Sequence, residues 1–178
     1  MIINSFYAFK QVVIGWDIIR IEFWIVLGIT VLACTINTWK YLKCIQEFNK
    51  KNWSYVVKQK KYFKHLGNYM FMLAVANFEL YHDEEFVLYI NKIKQPSLQG
   101  PKLSYTIKHL IITNNTATPR IDQLMEEMRS LKDKQTQEFF ETNYLLYRIK
   151  FEGHVCSQEE IQILEKLRSD RVRKEFLQ

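Results

Sequence analysis

Seventeen consecutive residues without a charge, Phe23 to Trp39 (FWIVLGITVLACTINTW), constrain this chain more than any other feature. With Ile18, Ile19 and Ile21 just before it, the apolar run is long enough to cross a hydrocarbon core of roughly 30 Å as a helix rising about 1.5 Å per residue. A helix is required there, because in lipid each backbone N–H and C=O must find its partner within the segment. Residues 17–39 are therefore predicted to be a single transmembrane helix. Residues 1–16, with Phe6, Tyr7, Phe9 and Trp16, are predicted to be an extracytoplasmic interfacial segment, since such rings suit the headgroup zone. Trp24 and Trp39 bracket the span as interface anchors, and Arg20 and Glu22 lie at its outer edge, where long side chains snorkel.

The net charge of +6 becomes informative once it is divided along the chain. Lys40, Lys43, Lys50, Lys51, Lys58, Lys60, Lys61 and Lys64 stand against Glu47 alone, so the whole excess sits in residues 40–66. Cations beside a span end favour the cytoplasmic side. The expectation is a plasma-membrane protein, single-pass, with its N-terminus outside and its C-terminal domain cytoplasmic. Residues 40–66 are read as a basic juxtamembrane helix. Lys40, Lys43, Lys50, Lys51, Lys58, Lys60 and Lys61 are its candidate contacts with anionic lipid headgroups, each contributing about 1 kcal/mol near such a surface. A cleaved signal peptide is the competing reading. It fits less well, because the first sixteen residues hold one Lys and no small-residue cleavage site precedes a polar start. Nucleic acid is not an expected partner, since the basic excess lies outside the folded domain.

Three cysteines, Cys34, Cys44 and Cys156, do not make a disulfide framework. Cys44, just beneath the span, is open to acylation as well as to remaining a free thiol. Thr30, Thr35, Thr38 and Asn37 can bond to a partner helix, although threonine more often bonds back to its own backbone.

Residues 67–178 read as all-α. Hydrophobic residues make up 48% of the chain and aromatic residues 15%, enough for a core, and five Gly and three Pro are too few for a turn-rich sandwich. Gly67 is expected to end the preceding helix at its left-handed C′ position. Asn68–Tyr81 is apolar nearly all round and must be covered on most sides. Helices follow over Glu84–Lys94, from Gly100-Pro101, from Thr118-Pro119 as N-cap and first residue, and over Gln137–Phe151. The last begins at Ser157, with Glu160 completing a capping box. It is expected to bury Ile161, Leu164 and Leu167 and then turn polar through Arg168, Arg171, Arg173 and Lys174 as a solvating cap.

These helices pair into hairpins beginning near Asn68, Pro101 and Gln135, a spacing of thirty-three to thirty-four residues. Leu73-Ala74, Asp83-Glu84-Glu85-Phe86, Ile90 and Ile93 in the first hairpin, together with that period, resemble the tetratricopeptide repeat (TPR) family. Phe86 stands where the family has alanine, and later copies keep the period but few of the residues. The resemblance implies a TPR-like α-hairpin solenoid behind the transmembrane helix; an unrelated closed bundle is the alternative. It also implies a concave side built from the first helix of each hairpin. There Tyr69, Asn77, Tyr81, Tyr105, Lys108, His109, Asn143, Tyr144 and Arg148 are the candidate partner-binding face, with inter-hairpin core as the other reading of the same residues.

No catalytic signature is present. His65, His82, His109 and His154 stand alone, and His154 with Cys156 falls short of the four ligands of a structural zinc site. No Gly-rich phosphate loop, nucleophile elbow or HExxH occurs. The expectation is a protein without cofactor or enzymatic activity. It would act as a membrane-anchored adaptor or scaffold with a protein or peptide partner at the membrane. An immunity or self-protection protein and an integral subunit of a larger membrane assembly are the alternatives.

Overall fold

The computed structural model describes the backbone of residues 2–60 and 67–177, and the side chains of 22–60 and 67–177. Lys61, Phe63, Lys64, His65 and Leu66 lie outside the described residues, as do the side chains of Phe6, Tyr7, Phe9, Trp16 and Arg20. Among the described residues every regular element is helical. The chain divides into two compact units, Met1–Gln46 and Glu47–Gln178.

The first unit is one helix. α1 covers Ile2–Asn49, so its last residues belong to the second unit. From Glu22 to Asn49 it is long and apolar enough to cross a membrane, and none of its most apolar window is buried. A signal sequence near an N-terminus has the same composition, so α1 is a possible span or signal by this criterion. Thr30 and Thr35 each donate their hydroxyl to the carbonyl four residues earlier, Val26 and Val31, at 2.8 Å. Both hydroxyls are thereby satisfied within the helix, as an apolar solvent demands.

Within the second unit the helix breaks after Asn49. Asn52 then caps α2 (Trp53–Lys58), its side chain accepting from the Tyr55 N–H at 3.3 Å. Part of the basic segment thus belongs to the folded core: Trp53 and Val56 are buried, and the Tyr69 hydroxyl donates to the Val56 carbonyl at 2.6 Å.

Three hairpins follow. The first is α3 (Gly67–Glu79) with α4 (Asp83–Ile90). The second, after a short 3₁₀ turn at Pro96–Leu98, is α5 (Gln99–Thr113) with α6 (Pro119–Ser130). The third is α7 (Lys134–Glu152) with α8 (Gln158–Glu165), and α9 (Asp170–Phe176) closes the described chain. α3 is buried along nearly its whole length, as its all-round apolar sequence requires, between α2, α4, α5 and α9. α7 lies along α5 and α6. At that crossing a Cβ on Gly100 would come within 2.2 Å of the Thr136 hydroxyl, so glycine is what lets α5 and α7 approach.

Local signals place several ends. Pro119 opens α6 behind Thr118; the Ser157–Glu160 capping box opens α8 with both reciprocal bonds formed; Gly153 ends α7 in the left-handed conformation, φ 68°. Three expectations are corrected. Gly67 does not end a helix in the left-handed region but opens α3, where a Cβ would strike the Gln95 side chain. α4 stops at Ile90, short of Lys94, because the chain unwinds so that Ile93 is buried ahead of Pro96. The C-terminal helix is two helices, with a break after Glu165 and a new cap at Ser169, whose hydroxyl accepts from Val172 N–H at 3.2 Å. The break turns α9 back onto α3 and α5. Arg171, expected in solvent, is 5% exposed as a result.

Candidate functional site

The first helices of the three hairpins, α3, α5 and α7, surround a cavity of about 440 Å³. Phe71, Tyr105 and Phe139 supply aromatic walls, and Leu167 and Arg168, from the stretch between α8 and α9, lie along one side. Ser104, Gln135 and Thr142 add hydrogen-bonding groups, and Glu138 adds a carboxylate. The volume is in the range of small-molecule sites, and an apolar lining with a few polar groups is their usual composition.

Lys108 is the buried charged group among the residues lining this cavity. It is 8% exposed. Its ammonium lies 5.1 Å from the Tyr105 ring centroid and makes no hydrogen bond or ion pair among the described residues. Burial disfavours its charged form and lowers its pKa to about 8; Glu79 opposes that shift but does not overcome it. Glu79 is itself engaged: one carboxylate oxygen accepts from the backbone N–H groups of Asp170 and Arg171 at 3.0 and 3.1 Å. Its other oxygen has no protein partner among the described residues, and burial raises its pKa.

Next to the cavity, a second cluster fixes α9. The Arg171 guanidinium grips Asp83 with two bonds of 2.6 and 3.1 Å and donates to the Phe78 carbonyl at 2.9 Å. It also lies 4.7 Å from the centroids of both Phe78 and Tyr81. Asp83 titrates below the ordinary carboxylate range, chiefly through these hydrogen bonds. His109, 3.2 Å from Asp83 and against the Phe86 ring, has its pKa lowered by burial. Two further contacts tie the end of the chain down: Lys51 to Asp170 at 2.7 Å, and Arg168 to the Phe48 carbonyl at 3.0 Å.

The nine residues expected on one concave face are therefore divided. Tyr105 and Lys108 line the cavity. Tyr69, Asn77, His109 and Asn143 are buried between helices; Asn77 donates to the Leu73 carbonyl at 2.8 Å and Asn143 to the Ser104 hydroxyl at 3.1 Å. Tyr81 lies at the α3–α4 turn beneath Arg171, with φ 62°. Tyr144 and Arg148 line a groove along α7 with Leu145, Glu160 and Ile163, and Tyr144 also lines a second one. In the second, of about 360 Å³, Tyr144 joins Met125, Arg129, Phe140 and Tyr147. There Phe140 and Tyr144 stack 6.0 Å apart, and Arg148 caps Tyr144 at 5.9 Å. His154 is held between Arg148 at 2.7 Å and Glu160 at 3.0 Å.

Among the membrane-facing candidates, Lys43 lies over the Trp39 ring at 5.2 Å, Lys50 pairs with Glu47 at 3.5 Å and Lys60 lies over Tyr89 at 5.3 Å. Lys40 is half-buried and Lys58 exposed, Lys51 is bound to Asp170, and Lys61 is outside the described residues.

Sequence reasoning missed Arg168 and Arg171, which it assigned to solvent. The available signal was the Ser169-Asp170 pair, a helix-start signature inside what was read as a continuing helix. Comparison with family profiles, with curated proteins and with solved structures returned no match.

Proposed function

We propose that this chain is a membrane-anchored interaction protein: α1 crosses the bilayer once, and the hairpin unit acts on the cytoplasmic side as an adaptor within a membrane-associated complex. The observation that carries the reading is the exposed apolar stretch of α1. Phe23, Trp24, Val26, Ile29 and Leu32 are each about 60% exposed, which water does not favour and lipid does. The excess of Lys after the span supports a cytoplasmic C-terminus.

Three successive hairpins, opening at Gly67, Gln99 and Lys134, support a TPR-like stack, in which α9 folds back across part of the inner side. The α6–α7 groove supports the adaptor role. Its Met, Tyr, Phe and Arg content is that of interface centres, and Tyr144 is 46% exposed there.

Cysteine labelling tests the anchoring. In a Cys34→Ser/Cys44→Ser chain, Cys156 is the sole remaining thiol. The full-length chain should stay with membranes through alkaline washing, and an impermeant maleimide should label Cys156 only after permeabilisation. Labelling in intact cells, or a membrane-free or shortened chain, would refute the reading. Pull-downs with full-length wild type and Tyr144→Ala then ask whether the outer groove recruits protein.

A further inference from the structure

We propose that the cavity between α3, α5 and α7 is a binding site for a small amphipathic carboxylic acid, whose carboxylate pairs with Lys108 and whose apolar body lies among Phe71, Tyr105 and Phe139. The inference goes beyond the adaptor role and does not depend on it.

Four observations converge. Lys108 is more than nine-tenths buried, lines the cavity and has no anionic partner within ion-pairing distance among the described residues. An ammonium placed so is short of a counter-ion, and a buried charge is ordinarily paired. The acid whose charge acts on it, Glu79, has one oxygen committed to the two N–H groups that begin α9. The rest of the lining joins the rings of Phe71, Tyr105 and Phe139 to several hydroxyl and amide groups, so a bare inorganic anion would leave the aromatic walls uncovered. An acid with a short aromatic or acyl body satisfies both ends.

Other charged groups face the amine from each surrounding element. Glu79 does so from α3, Glu138 from α7, and Arg168 from the stretch before α9. Arg168 lies 4.7 Å from the Phe48 ring and donates to the Phe48 carbonyl, so it limits one side of the cavity rather than competing for the same oxygen atoms.

The test uses full-length chain in maltoside micelles, with 3-phenylpropanoate, its uncharged amide and inorganic phosphate as probes, titrated calorimetrically. At pH 7 the acid should bind once per chain, at least tenfold tighter than either the amide or phosphate. Lys108→Met should retain helical circular dichroism and lose the preference for acid over amide. Phe139→Trp, which narrows the cavity, should weaken the acid at least tenfold. Raising the pH to 9.5 should weaken wild-type binding of the acid as the amine loses its proton. Equal affinity for acid and amide, unchanged affinity in Lys108→Met, phosphate binding as tight as the acid, or no binding by any probe would each overturn the proposal.

Discussion

Replacing Lys108 with methionine should make this protein more stable, and the gain should fade with rising pH. Methionine keeps the unbranched stem and fills most of the same volume, so no large cavity forms. What disappears is an ammonium that the fold has taken largely out of water: Lys108 is 8% exposed. Burial lowers its pKa from 10.5 to about 8, a difference that corresponds to about 3 kcal/mol. The direction follows from proton binding in the two states. Below about pH 8 the amine is charged both folded and unfolded, so the folded chain carries the full penalty. Between pH 8 and 10.5 only the unfolded chain holds the proton, and wild-type stability rises with pH. Above 10.5 both states are neutral and the penalty is gone. Lys108→Met should therefore exceed wild type by about 3 kcal/mol at pH 7 and by roughly half that at pH 9.5. For a unit of this size the first figure is a rise of roughly 10 °C in Tm. Thermal unfolding of both chains in the same micelles, followed by circular dichroism at the two pH values, measures the difference. A variant no more stable than wild type at pH 7 would show that Glu79 already pairs productively with the amine. A difference independent of pH would show that packing, not charge, separates the two chains. Either result would refute the reasoning.

The grip of Arg171 on Asp83 should be the main hold on α9. Its guanidinium side chain is 5% exposed, but Asp83 is 40% exposed, so removal by Arg171→Met should cost about 2–3 kcal/mol rather than the full value for a buried pair. A double-mutant cycle with Asp83→Asn should give a coupling of about 1–2 kcal/mol, and faster amide exchange should be confined first to α9; additive effects would argue against the pair. Gly100→Ala should destabilise by about 1–3 kcal/mol through its collision with Thr136, and Thr136→Ala should restore most of the loss, as read by urea unfolding. Ser157→Ala should cost about 1 kcal/mol through the lost cap of α8, with exchange rising in Ile161 and its neighbours while α3 keeps its protection.

Much of the helical order was legible because its causes are local. A proline behind Thr118, a serine three residues before Glu160 and a glycine at position 153 act over a single turn of chain, and each stands where a helix begins or ends. The apolar run in α1 was equally plain, since hydropathy is a sum over neighbours. The Tyr105 and Lys108 pair was named as part of a binding face, and both line the cavity; Asn77, His109 and Asn143 were named with them and lie inside. Helical periodicity tells which residues share a face but not whether that face is covered.

What the amino-acid order settled alone is those helix ends that a proline, a capping box or a left-handed glycine marks, and that one helix is apolar enough to leave water. What only the tertiary structure decided is the return of α9. Arg171 lies 88 positions from Asp83 and 93 from the Phe78 carbonyl. In one dimension it is indistinguishable from the solvated arginines beside it. Its burial depends on a break at residues 166–169 and on an acid already placed by the first hairpin. That closure leaves a lysine enclosed among aromatic rings, with its charge still to be matched.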